Sequence, residues 1–365
     1  MSGSLQDQVA RYRVTAFPLP LTPDSYDPSQ DTKYQPTDFG LPAVPDPRLQ
    51  PKLHALWTET FGRPLRFLAE GVASGDSNPP ARVPGYPART VPQPPPPPFR
   101  FETSDNWSGA YLEAHDCRRF RQIWGRWTVP PEPKPPQAET TSEPGPYYCS
   151  TWIGLDGQRL YVQSALPQAG TEQEVTLDPK QEYPQVRTWA WVQWWVRGDP
   201  DSVQVKLPWF DVTPGDDITC VLTALDEHSV MCTFVNQSMS PPAVTAVRVD
   251  APQRRDLPLL PEAPRYSISG AHAEWVTERR GVTGIGNAVR PLADYGAITF
   301  VSCYAEEVSG VAEDPFNPHE PAIERTLENA QYVRMFDRQY NPPRTAYISV
   351  PERIDDTSFR TTYVG

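Results

Sequence analysis

The sequence predicts an all-β protein, an antiparallel β-sandwich or jelly roll, preceded by a proline-rich and mostly extended arm that contains a short helical segment. Three observations carry this. From Thr103 onward, short runs rich in Val, Ile, Thr, Tyr and Trp alternate with turn clusters, the pattern of many short strands. The 11 Trp and 16 Tyr favour strands and aromatic-lined clefts. The 46 prolines oppose long helices, because proline lacks the backbone donor and clashes with the preceding turn.

The arm is residues 1–102. Residues 1–100 hold 20 of the 46 prolines and end in five consecutive ones, Pro94–Pro98, a stiff polyproline II rod that marks a boundary. Upstream, Leu53, Leu56, Trp57, Phe61, Leu65 and Leu68 recur at helical spacing, and Pro64 should kink or split that segment into a short helical hairpin. The arm is read as a propeptide, a strap on the main domain, or a linker. One version has it covering a cleft until acid loosens it.

Residues 103–365 form the second unit. Expected strands are Arg187–Val196, Ser202–Leu207, Ile218–Leu225, Val230–Val235, Ala243–Val249, Ala297–Tyr304, Tyr347–Val350 and Ser358–Val364. Pro214-Gly215-Asp216 and Asp226–Ser229 are turn signals. A helix is expected near Ala322–Tyr332.

Composition bounds the function. The net charge is -12, and residues 1–100 carry +1 of it, so the second unit is strongly acidic and repels phosphate backbones. No nucleic acid partner is expected. No run of 18 apolar residues exists, so no membrane span is expected. The first 30 residues lack a basic start followed by an apolar stretch, so no signal peptide is visible. The five cysteines have no zinc or redox spacing. Cys220 and Cys232 flank the expected turn at Asp226–Ser229, where they either face each other across two strands or remain buried thiols. Metal-ligand spacing is absent among the five histidines, and neither a G-x-S-x-G elbow nor a pair of Asp-Thr/Ser-Gly loops is present. No metal and no cofactor are expected. What remains is carboxylate and amide chemistry among aromatic residues.

Four segments, in order, resemble the glutamic peptidases, the eqolisins of the scytalidoglutamic peptidase type. They are Asn106-Trp107-Ser108-Gly109-Ala110 with Trp127-Thr128-Val129-Pro130; Trp152-Ile153-Gly154-Leu155-Asp156-Gly157 followed by Leu166-Pro167-Gln168-Ala169-Gly170; Ala190-Trp191-Val192-Gln193-Trp194-Trp195; and Ala273-Glu274-Trp275-Val276-Thr277-Glu278. The resemblance implies a jelly roll of two curved antiparallel sheets, concanavalin A-like. It also implies an acid endopeptidase acting on polypeptides, secreted, and expected as a monomer. By motif position its catalytic pair is Gln168 and Glu274. One carboxylate can serve as base and then as acid, and an amide offers both a donor for the oxyanion and an acceptor for water.

Residues at the same motifs are expected to contact substrate: Trp107, Trp152, Asp156, Gln193 and Trp195, with Asp156 also orienting the pair. Trp189 and Gln193 stand where the family carries Asp and Glu, which weakens the carboxylate network expected around Glu274. Period two puts Ala273, Trp275 and Thr277 on one face of a strand and His272, Glu274, Val276 and Glu278 on the other. Asn106-Trp-Ser108 and Asn236-Gln-Ser238 also match glycosylation sequons. Two other functions compete. One is a non-catalytic module that stacks glycans or peptides on the tryptophan stripe. The other is a glycosidase pairing Glu274 with Glu278 or Asp156, which needs carboxylates about 5–10 Å apart.

Overall fold

The computed structural model describes residues 15–18, 26–28, 33–69, 101–136, 145–157, 165–177, 180, 183–197, 202–254, 265–281, 289–337 and 347–365. The polyproline run lies outside these residues.

Strands in chain order are β1 (Thr15–Pro18), β2 (Arg66–Phe67), β3 (Phe101–Ser104), β4 (Trp107–Glu113), β5 (Arg118–Thr128), β6 (Tyr147–Leu155), β7 (Ala165–Thr176), β8 (Gln185–Val196) and β9 (Val205–Lys206). They continue as β10 (Asp217–Asp226), β11 (Ser229–Asn236), β12 (Ala243–Asp250), β13 (His272–Glu278), β14 (Ala297–Ser309), β15 (Ala322–Arg325), β16 (Gln331–Phe336), β17 (Tyr347–Arg353) and β18 (Phe359–Tyr363). A helix, α1, spans Pro51–Phe61.

The strands form an all-β sandwich. The front sheet runs β9-β8-β7-β6-β13-β4-β16, antiparallel at every step. The back sheet runs β18-β14-β5-β10-β11-β12, also antiparallel. β17 pairs with β16 on one side and β18 on the other, joining the two halves into one open ladder. The core lies between the sheets, where Ile153, Ala169, Val192, Trp194, Ala273 and Trp275 of the front meet Ile123, Trp127, Cys220, Leu222 and Phe300 of the back. Two indole donors lock the halves together: Trp275 Nε1 to Trp124 O at 2.7 Å, and Trp127 Nε1 to Thr171 Oγ1 at 2.9 Å. Burial of these large rings, rather than any one bond, supplies the driving force.

The β5-β10-β11-β12 part of the back sheet is covered on its outer side as well. Val221, Val235, Val244 and Trp124 point away from the front sheet and pack on Leu53, Leu56, Trp57 and Phe61 of α1. The helix begins with Pro51 and has no side-chain cap of its own. Its free Lys52 and Leu53 N–H groups instead donate to the Glu324 carboxylate at 3.0 and 3.1 Å. β1 and β2 add to the edge strand β12.

Several expectations change here. Among the described residues the arm holds one α-helix and a 3-10 turn at Pro36–Phe39, not a helical hairpin, because Phe61 ends the helix before Pro64 and the chain continues as β2. The described segment from Phe39 to Phe67 packs on the outer side of the back sheet, and the remainder of the arm expected to cover a cleft lies largely outside the described residues. The stretch 322–332 is β15, a 3-10 turn at Leu327–Asn329 and the start of β16, because pairing with β14 and β4 overrides its local helical spacing. All five cysteines are free thiols. Cys220 pairs with Phe234 and Cys232 with Leu222, offset along the hairpin, so both remain buried thiols.

Candidate active site

The outer face of the front sheet carries a second, small apolar cluster of Trp152, Leu166, Trp191 and Val276, flanked by Trp107, Trp189 and Trp195. Alternation explains it: these residues interleave with those facing the core. Strand register then aligns the polar groups. Tyr111 of β4 lies opposite Glu274 of β13, Glu274 opposite Gly154 of β6, Gly154 opposite Gln168 of β7, and Gln168 opposite Gln193 of β8. Residues directly opposite share a face. Gln168 and Glu274 therefore point the same way, roughly 9–10 Å apart at Cα, with one glycine between them.

That glycine sits where a side chain would force its neighbours to shift. A Cβ on Gly154 would sit 2.7 Å from Leu166 Cδ1 and 3.1 Å from Trp152 Cζ3, so these apolar groups fill the floor between the two side chains. Gly157 is equally constrained. A Cβ there would lie 2.2 Å from Glu274 Oε2 and 2.6 Å from Trp107 Cη2. Gly157 and Trp107 thus roof the Glu274 carboxylate, and the site is closed: Glu274 is 0 % exposed and Gln168 4 %.

Gln193 fixes the amide of Gln168. Gln193 Nε2 donates to Ser202 O at 2.7 Å, which turns its Oε1 toward Gln168 Nε2 at 2.9 Å. Gln168 keeps one N–H of that nitrogen for another acceptor, and its Oε1 has no hydrogen-bond partner among the described residues.

Two more carboxylates occupy this face. Glu278 and Glu172 lie opposite each other across Ser150, two rows along from the pair Glu274 and Gln168, with the row Val276, Trp152 and Gly170 between. Glu278 accepts from Trp152 Nε1 at 2.8 Å, Trp107 Nε1 at 3.2 Å and Asn106 Nδ2 at 3.0 Å. Its carboxyl is pushed up to about 7 by loss of solvent, against the pull of those three donors. Glu172, wholly buried, is likewise pushed up to about 7 by burial, with Arg280 opposing at 3.5 Å. Glu172 escaped the sequence reading, although its place four residues after Gln168 on one strand was the signal for a shared face. Glu172 stands directly opposite Trp189 of β8.

The remaining expected residues fall as follows. Trp107 and Trp152 sit edge to face with centroids 5.1 Å apart and clamp Glu278; Trp152 is buried beneath Trp107. Trp195 is half-buried on the same face, opposite Leu166 and beyond Gln193. Asp156 follows β6 directly, with a φ of 71°. Its carboxylate accepts from the backbone N–H of Ser269, Gly270 and Ala271 and from Ser269 Oγ, so it holds the segment entering β13, the strand that carries Glu274. His272, buried beside Glu274 on the strand face, has its pKa lowered by burial. Neither sequon asparagine is free: Asn106 bonds Glu278, and Asn236 is buried against Asp216. A surface depression of about 410 Å³ lies far from this face, lined by Asp226, Glu227, His228, Ser229, Arg248, Asp250 and Arg265. No metal-holding cluster occurs among the described residues, and none of their helices is long and apolar enough to cross a membrane.

Comparison with known proteins gives the following. The family model described as the Peptidase A4 family matches residues 105–334. No curated protein matches the chain significantly. Among solved structures the chain is similar to scytalido-glutamic peptidase with a peptide-based transition state analog, at 18 % identity and TM-score 0.47, covering 71 % of this chain and 98 % of that one. It is also similar to SCP-B, a member of the eqolisin family in complex with the tripeptide Ala-Ile-His, at 17 % identity and TM-score 0.45, covering 71 % and 98 %. A third is aspergilloglutamic peptidase from Aspergillus niger, at 18 % identity and TM-score 0.40, covering 60 % and 99 %. The family match takes in more than half of the chain and every strand that bears the row from Tyr111 to Gln193, and the chain belongs to the peptidase A4 family, the glutamic peptide hydrolases.

Proposed function

We propose that the chain is a secreted acid endopeptidase that hydrolyses peptide bonds with Gln168 and Glu274. Glu274 takes a proton from water as that water attacks the scissile carbonyl, and then gives the proton to the leaving amine. Gln168 donates its second Nε2 hydrogen to the developing oxyanion while its Oε1 accepts from the water. The observation that carries this reading is the register: both side chains stand in one row on one face, separated only by Gly154. Gln193 supports it by setting which end of the Gln168 amide faces the pair. Substrate access requires Trp107 and the Gly157 backbone to move off the Glu274 carboxylate.

A second reading, a non-catalytic module that binds peptides or glycans, draws on the same closure, since Glu274 has no contact with solvent. Cleavage of an unfolded protein, measured from pH 2 to 7 beside a glycan array, separates the two. Cleavage with an acid optimum supports the peptidase. Glycan binding without cleavage at any pH supports the module and sinks the first reading.

A further inference from the structure

We propose that Lys206 is a fixed cation on this face and selects peptides that carry a side-chain carboxylate near the scissile bond. This rests on the peptidase reading. Lys206 lies on β9, opposite Trp191, and so falls on the same face as Gln168 and Glu274. Its Nζ sits 3.3 Å from the centre of the Trp189 ring. A cation over an indole face is held in place by the ring quadrupole, so this ammonium is positioned rather than sweeping through solvent.

The two carboxylates that act on it, Glu172 and Glu174, are each engaged by an arginine at closer range. Glu172 of β7 is paired with Arg280 at 3.5 Å, and Glu174 of β7 with Arg187 of β8 at 3.8 Å. Tyr148 of β6 lies under Arg280. Each nearby carboxylate thus has its own arginine, while Lys206 has no carboxylate within ion-pair distance among the described residues. The lysine is exposed, so an approaching ligand can reach it. Burial against the ring lowers its pKa, and Glu172 and Glu174 oppose that. A peptide carboxylate is the group that supplies the missing partner, whereas a lysine or arginine side chain would be repelled there.

The test uses an otherwise neutral peptide with Glu, Gln or Lys placed in turn at successive positions around its cleavage site, at pH 5, where a substrate carboxylate is largely ionised. Wild-type protein should cleave the Glu peptide about fivefold to tenfold faster than the Lys peptide at one position, in kcat/KM. Lys206→Met should bring that ratio below about twofold, and Lys206→Arg should keep it. The ratio is taken within each variant, so a general loss of activity does not affect it. Equal cleavage of both peptides by wild type, or an unchanged ratio in Lys206→Met, overturns the proposal. If wild type cleaves no peptide at any pH, the peptidase reading fails. Peptide dissociation constants from tryptophan fluorescence then decide on Lys206: tighter binding of the Glu peptide, lost in Lys206→Met, upholds it, and equal affinities overturn it.

Discussion

Gln168 Nε2 donates to Gln193 Oε1 at 2.9 Å, and the two residues stand directly opposite each other on β7 and β8. Because Gln193 Nε2 is committed to the Ser202 carbonyl, this bond has only one workable polarity. Gln193→Leu frees the Gln168 amide and should lower kcat about tenfold at every pH, with KM less affected. Gln193→Glu imitates the glutamine only when the introduced carboxyl is protonated and can donate to Ser202 O. Its rate should approach wild type below about pH 4, the ordinary glutamate range, and fall away above it. Identical pH profiles for the two variants would show that Gln193 does not set the amide.

Gly157 and Glu274 make the second prediction. A methyl group 2.2 Å from Glu274 Oε2 must push the carboxylate aside. Gly157→Ala should therefore cost at least about tenfold in kcat/KM while leaving the far-UV circular dichroism spectrum unchanged. Wild-type turnover in this variant would place the working carboxylate elsewhere.

The third concerns pH and stability. Burial pushes the Glu172 carboxyl up to about 7, above the ordinary 4.5. The folded state therefore binds more protons than the unfolded state between those values. Its burial costs nothing when the group is protonated in both states, and stability falls as pH rises through about 7. Unfolding free energy should drop between pH 5 and pH 8 by up to about 3 kcal/mol, and Glu172→Gln should flatten that slope. Glu278 acts in the same direction, tempered by its three donors. Urea titrations at several pH values check this, and a wild-type protein more stable at pH 8 than at pH 5 would contradict it.

The fourth concerns the arm. Trp57 is buried against the back sheet and donates from Nε1 to Pro42 O at 2.9 Å. Trp57→Ala should destabilise the protein by about 3–5 kcal/mol in urea denaturation, the usual loss for a buried tryptophan. It should not raise the peptidase rate. A rate increase would mean that this segment restrains the site after all.

Much of the fold was legible because alternation is local. The faces of β13, with Ala273 and Trp275 inward and Glu274 and Glu278 outward, follow from period two alone. The row that joins Gln168 to Glu274 did not follow, because pairing across β6, β7 and β13 is set by tertiary register rather than by separation along the chain. Lys206 under the same logic was invisible: only the short pairing of β9 with β8 brings it to Trp189. Residues 322–332 misled in the opposite sense, since helical spacing there is local and the partner β14 is not. The path of the arm was open at the sequence level because a helix's apolar stripe does not name the surface that buries it.

The most direct measurement is cleavage of an unfolded protein at pH 3–5 by Glu274→Gln and by Gln168→Ala, each beside wild type and each checked for an unchanged unfolding midpoint. Loss of at least about a thousandfold in both, with the fold intact, is the predicted result. Full activity in either variant contradicts the pairing of this amide with this carboxylate.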